Sequence, residues 1–208
     1  MKVIAVNGSP REDGNTATVL RAMADVLLGE GIETEFIHVG GLDIHGCVGC
    51  GYCGTSERNL CVFKDGIVDE AALRLREADG IILGAPTYYA GIPGSMKCFL
   101  DRVFFSSSRY FRNKVGTAVT AVRRAGGVDV VHQLMNYFNL SETVTPPSQY
   151  WTVVYGRGKG EAPRDTEGMQ TARKNARAMA WLIKIINATK ATIPPPEDDP
   201  HVFMHFIR

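Results

Sequence analysis

The chain has 208 residues, 45% of them apolar, and a formal net charge of +1. That length holds one large domain, with or without an arm, and buries a substantial core. With Lys and Arg nearly balancing Asp and Glu, no basic excess argues for nucleic acid or an anionic membrane surface. No apolar run approaches the ~18 residues that a membrane span requires. The start, Met1-Lys2-Val3-Ile4-Ala5-Val6-Asn7, breaks at Gly8-Ser9-Pro10 and reads as a strand rather than a secretion signal. The chain is therefore expected in the cytoplasm, where thiols stay reduced.

Residues 2–7 are apolar and β-branched, as in a buried strand. Asn15-Thr16 opens an amphipathic helix to about Leu28, which Gly29 and Gly31 end. A second strand is predicted over 34–39, and a long glycine-rich loop over 40–65. A helix over 68–78, a strand over 80–84 and a helix over 93–104 follow. Then come a strand over 115–122, a helix over 128–138, a broken strand near Val144 and 151–155, and a final helix over 166–189. Strand and helix alternate five times, which predicts an open parallel sheet with helices on both faces and strand order 2-1-3-4-5. The expected division is a domain over 1–190 and a C-terminal arm over 191–208. The prolines at 194–196 exclude helix there, and the apolar end (202–207) is expected to pack back on the domain or on a partner subunit.

In such sheets ligands bind at the carboxyl ends of the strands. The first loop there, Gly8-Ser9-Pro10-Arg11-Glu12-Asp13-Gly14-Asn15-Thr16, runs from strand into helix. A helix start offers unpaired N–H groups and the positive end of a dipole to a phosphate. Ser9, Asn15 and Thr16 add short donors, and Arg11 adds charge. The run is neither a dinucleotide fingerprint nor a P-loop. An ordinary capped helix start explains the same residues. The loop after the third strand carries Pro86, Thr87, Tyr88, Tyr89 and Gly91. Its two rings suit a planar heteroaromatic ligand, and its backbone N–H groups suit the polar edge of that ligand.

Cys47, Cys50, Cys53 and Cys61 lie within fifteen residues, in the spacing Cys-x2-Cys-x2-Cys-x7-Cys. Three readings remain open for them: a 4Fe–4S cluster, a structural zinc, or a redox-sensing thiol loop without metal. Cys98, in an apolar helix, reads as a buried structural cysteine. His45 stands beside the loop, where it could tune a bound centre. Trp181 reads as core or interface.

The runs at 8–16 and 85–102 together resemble the NADPH-dependent FMN reductase group of flavodoxin-like proteins. With the four cysteines inserted after the second strand, the chain resembles the iron–sulfur flavoproteins of that group. The resemblance covers roughly residues 1–130 with specific motifs. It implies a flavodoxin-like three-layer sandwich that binds FMN, with Ser9, Arg11, Asn15 and Thr16 on the phosphate. Pro86, Thr87, Tyr88, Tyr89 and Gly91 would line the isoalloxazine, and a third loop with Ala125, Gly126 and Gly127 would approach from the other side. Arg123 and Arg124 before that turn could stabilise reduced flavin or hold a nicotinamide cofactor's phosphate, or simply be solvated. The function implied is a flavin-dependent oxidoreductase that couples FMN to a 4Fe–4S cluster held by Cys47, Cys50, Cys53 and Cys61. Its donors and acceptors would be small molecules, NAD(P)H among them, or proteins. A cluster-free NAD(P)H-dependent FMN or quinone reductase is the alternative, and an interaction module without redox work a third. A homodimer or tetramer is implied as well.

Overall fold

The computed structural model describes residues 1–200, 202 and 204–207. Five parallel strands form one sheet in the order β2-β1-β3-β4-β5, as expected. They are β1 (Lys2–Asn7), β2 (Glu33–His38), β3 (Gly80–Pro86), β4 (Val115–Val122) and β5 (Val153–Tyr155). The helices are α1 (Asn15–Gly29), α2 (Tyr52–Thr55), α3 (Ile67–Glu77), α4 (Gly94–Ser107), α5 (Gly127–Leu140) and α6 (Thr166–Thr189). Two single 3-10 turns, Ser108–Tyr110 and Ala162–Arg164, complete the order.

Alternation along the strands separates two cores. Ile4 and Val6 of β1 join Ile81 and Leu83 of β3 against α3, α4 and α5. Val3 and Ala5 point the other way with Ile82, against α1 and α6. This is the period-two geometry of a sheet buried on both faces. On the second face, Leu20, Met23 and Leu27 of α1 meet Met179, Ala180 and Ile183 of α6. The broken fifth strand resolves into a lone parallel bridge between Val144 and Val115, followed by β5 beside Thr120–Val122.

The differences from expectation are local. The 40–65 loop contains one helical turn, α2, started by Gly51 at φ +73°; four residues are too few to show a period. α4 runs on to Ser107, where Ser106 folds its hydroxyl back to the Val103 carbonyl (3.0 Å). Trp181 is 61% exposed, so it is not core. Within 202–207 the described residues Val202, Met204, Phe206 and Ile207 are all exposed. That part of the arm does not pack back on the domain; Phe203 and Arg208 lie outside the described residues. Before it, the exposed 191–200 stretch is tethered by an Arg112–Asp198 ion pair (2.7 Å).

Candidate functional site

The first three ligand loops all leave the same edge of the sheet. Gly8 donates its N–H to the Gly84 carbonyl (2.8 Å), so the exits of β1 and β3 are side by side. In the first loop Ser9 is buried. Its N–H donates to Asn7 Oδ1 (3.0 Å), and its hydroxyl accepts from the Arg11 N–H (3.2 Å). His38, at the end of β2, pairs its Nε2 with the Ser9 carbonyl (2.7 Å). α1 then starts on Gly14 with no side-chain cap and no acid in its first turn. Its leading N–H groups are therefore left for water or an anion. Thr16 is 2% exposed, at that helix start, whereas Arg11 is exposed. Asn15 faces sideways. Its Nδ2 donates to the Gly158 carbonyl (2.8 Å) and its Oδ1 accepts from the Ala162 N–H (3.1 Å).

The second loop is a tight hairpin. Tyr88 and Gly91 exchange backbone hydrogen bonds of 2.8 and 3.0 Å, and Thr87 N–H donates to the Ala121 carbonyl (3.3 Å). This narrows the expectation that the backbone N–H groups from Thr87 to Gly91 could bond the polar edge of a ring. The turn consumes those of Thr87, Tyr88 and Gly91, leaving Tyr89 and Ala90. Tyr89, at φ +47°, projects fully into solvent, and Tyr88 is 55% exposed. Pro86 ends β3. Thr87 Oγ1 is buried without any hydrogen-bond partner. An orphaned hydroxyl of this kind costs stability unless a ligand satisfies it.

The third loop closes on the second. Ala125 is exposed, Gly126 takes φ +83°, and Gly127 is buried at the start of α5. A β-carbon on Gly126 would stand 3.0 Å from Thr87 Cγ2, so only glycine gives this approach without strain. Beyond the turn lies a cavity of about 370 Å³ walled by Arg124, Tyr150, Trp151 and Tyr155. An open groove beside it carries Arg123, Arg157 and Arg164.

The cysteine segment sits between β2 and α3, flanking these loops. All five cysteines carry free thiols. Cys47, Cys50, Cys53 and Cys61 line one small pocket together with Phe63, Arg102 and Phe105. Burial pushes the Cys53 thiol up, and the neighbouring Cys61, Cys47 and Cys50 add to that. Among the described residues, no three or more His, Cys, Asp or Glu side chains are gathered closely enough to hold a metal ion. The four thiols share a pocket but have not converged to ligating distance.

Two arginines that sequence reasoning left without a role fasten the segment. Arg102 of α4 is 1% exposed and donates Nε–H to Cys61 Sγ (3.2 Å). Its other nitrogens reach the His45 carbonyl (3.3 Å), the Phe63 carbonyl (3.1 Å) and the Asp65 carboxylate. Arg76 of α3 donates to the Arg58 and Asn59 carbonyls (2.9 and 2.7 Å) and to Ser107. Asn59, at φ +50°, in turn donates to the Cys53 carbonyl (3.1 Å). His45 stacks on Phe63 at 4.3 Å. Cys98 is half-buried rather than fully buried, and lies against the segment: a β-carbon on Gly46 would be 3.6 Å from its sulfur. The one signal for Arg102 was its place at the end of the 85–102 motif. Nothing in sequence spacing ties it to a loop some forty residues earlier.

A doubly wound sheet whose carboxyl edge carries an uncapped helix start, a tyrosine hairpin and a glycine turn defines a flavodoxin-like protein. The chain belongs to the NADPH-dependent FMN reductase family, which it matches over residues 1–158, and is accordingly a flavin-dependent oxidoreductase. It is 36% identical over 194 residues to an iron-sulfur flavoprotein of Methanocaldococcus jannaschii, covering 89% of this chain and 99% of that one. An iron-sulfur flavoprotein of Methanosarcina thermophila is 28% identical over 197 residues, covering 91% and 99%. An NADPH azoreductase of a Bacillus species is 27% identical over 138 residues, covering 64% and 66%. Among solved structures, RosB with a bound formylated riboflavin-phosphate intermediate superposes with a TM-score of 0.65 at 16% identity, covering 100% and 94%. A flavodoxin from the domain Archaea gives 0.60 at 15% identity, covering 88% and 99%. At those identities the structural likeness is one of fold.

Proposed function

We propose that the three loops hold FMN, and that Cys47, Cys50, Cys53 and Cys61 hold a 4Fe–4S cluster beside it. The observation that carries the cluster is that four free thiols line one pocket, in a segment fastened by the buried Arg102 and the half-buried Arg76. The donor set fits an iron–sulfur centre: four thiols, glycine-rich backbone between them, and an N–H aimed at one sulfur. The flavin reading is supported by the orphaned Thr87 hydroxyl and by the uncapped start of α1.

When bound, FMN takes up electrons in pairs or singly and an iron–sulfur cluster singly, which is the chemistry needed to join hydride donors to one-electron carriers. The chain's own residues bind and orient. The leading N–H groups of α1, with Ser9, Arg11 and Thr16, take the phosphate. Asn15 fixes the helix start against the 156–162 turn. Pro86, Thr87, Tyr88, Tyr89 and Gly91 form one wall for the ring; Ala125, Gly126 and Gly127 form the other. The Thr87 hydroxyl, already desolvated, supplies a donor or acceptor at the polar edge. No side chain is assigned as acid or base.

The partners are a small-molecule or protein electron donor and acceptor, with NAD(P)H a candidate donor, and no nucleic acid or membrane. The location proposed with this reading is the cytoplasm, where thiols stay reduced. A homodimer or tetramer is part of the same reading. A second reading, a cluster-free NAD(P)H-dependent FMN or quinone reductase, is supported by the likeness to an NADPH azoreductase.

Anaerobic purification with iron, sulfide and flavin quantitation decides between them. The cluster reading expects iron and acid-labile sulfide in equal amounts alongside FMN. FMN with neither selects the second reading, and zinc in place of iron makes the site structural. Light scattering that returns a monomer removes the oligomer.

A further inference from the structure

We propose that Arg102 is a positioning residue for the cysteine-held centre, latching the segment at both ends and raising the centre's reduction potential through its N–H to Cys61. This rests on the cluster reading above.

The geometry of the guanidinium carries the argument. One planar group with five donors is placed so that separate nitrogens serve separate parts of the segment. Nη1 holds the His45 carbonyl, two residues before Cys47. Nη2 holds the Phe63 carbonyl, two residues after Cys61. Nε points at the Cys61 sulfur itself, at 3.2 Å. The Asp65 carboxylate accepts from both terminal nitrogens and keeps the fork in plane. The entrance and exit of a loop that contains four thiols are therefore set by a single side chain rooted in α4. Lysine has no such fork, so the charge alone does not reproduce the latch.

Arg102 is also fully desolvated. Its side chain has no exposed surface, and the Phe63 ring lies 5.3 Å from the guanidinium carbon. A cation and an N–H dipole kept from water act on a nearby sulfur more strongly than the same groups in solvent. Reduction adds one negative charge to a thiolate-ligated cluster. A donor aimed at a ligand sulfur stabilises that added charge and raises the potential. Asp65 works in the opposite sense, because its carboxylate sits on the far side of the same guanidinium. The same helix holds Met96 against Gly8 of the first loop and Cys98 against Gly46. α4 thus places Arg102 at a fixed offset from the flavin loops.

The test uses anaerobically purified holoprotein and two variants, Arg102→Lys and Asp65→Asn. Redox titration followed by electron paramagnetic resonance reads the cluster. Hydrogen exchange over residues 45–65 reads the latch. Arg102→Lys is expected to lower the midpoint by on the order of a tenfold change in the reduction equilibrium, about 59 mV for one electron. It is also expected to speed exchange at both ends of the segment together. Asp65→Asn is expected to move the midpoint upward. A residue with only a structural role would lower iron content in both variants and shift neither potential. If Arg102→Lys fails to retain iron, the upward shift in Asp65→Asn decides. Normal iron and FMN contents with unshifted midpoints overturn the proposal alone. Wild-type protein without iron overturns the cluster reading and this proposal with it.

Discussion

Gly8 of the first loop lies directly against Met96 of α4: a β-carbon built on Gly8 would stand 2.7 Å from the methionine sulfur and 2.9 Å from its β-carbon. Met96 is fully buried, and its own β-carbon is part of the clash, so swinging the end of the side chain does not relieve it. Gly8→Ala therefore has to push the first loop and α4 apart. Overpacking of this kind costs about 1–3 kcal/mol. Urea denaturation of the flavin-free chain should show that loss, and flavin titration should show weaker FMN binding. Unchanged values for both would mean the loop yields more easily than its contacts indicate.

The orphaned Thr87 hydroxyl makes a signed prediction. Thr87→Val removes a buried oxygen that has no protein partner. The flavin-free chain should keep its stability or gain slightly, because a desolvated polar atom has gone. FMN affinity should fall about two- to thirteenfold, the worth of one neutral hydrogen bond of ~0.5–1.5 kcal/mol. Flavin fluorescence titration reads the second effect and thermal melting the first. Loss of both stability and affinity would show that the hydroxyl already has an unseen role in the empty chain.

Asn15 joins the start of α1 to a turn about 145 residues away through a donor and an acceptor on one amide. Asn15→Ala strands the Gly158 carbonyl and the Ala162 N–H together. We expect a destabilisation of about 1–3 kcal/mol, with hydrogen exchange accelerated over 156–162 and unchanged in β1. Uniform acceleration across the sheet would instead place Asn15 in the global core.

Asp79 gives the chain a stability that depends on acid. Burial raises its carboxyl, but the Lys2 N–H, the Asn187 amide, the N-terminal ammonium and Lys114 outweigh that, holding it below the usual range. A carboxyl depressed in the folded state contributes stability above its unfolded pKa of about 3.9 and loses it as pH falls through the folded value. Urea midpoints of the wild type should therefore fall between about pH 5 and pH 3. Asp79→Asn should start lower at pH 6 and fall less over the same interval. Parallel curves would remove Asp79 as a source of the acid sensitivity.

Most of the scaffold was legible because its signals are local and periodic. Val3 to Val6 and Ile81 to Leu83 are apolar on both faces, which only a strand covered on two sides explains. The start of α1 at Asn15 and the break after Pro86 follow from glycine and proline punctuation. What escaped depends on contacts between distant parts of the chain. The pairing of His38 with the Ser9 carbonyl spans 29 positions, and Arg102 to Cys61 spans 41. Neither leaves a periodic trace. The hairpin also consumes N–H groups that the bare sequence left free, because whether Tyr88 and Gly91 pair depends on the positive φ of Tyr89 between them. The apolar run at 202–207 suggested packing on the domain or on a partner subunit, and its described residues Val202, Met204, Phe206 and Ile207 do not pack on the domain.

The cysteine segment is gripped where it leaves and rejoins the fold, while residues 47–57 keep their hydrogen bonds within the segment. Such an attachment behaves as a cassette. Its contents can be lengthened, shortened or re-equipped over evolutionary time without remodelling the strands beneath, provided the arginine clasps survive. The same property makes it a practical graft point, where a chosen metal-binding segment can be installed without altering the strands beneath.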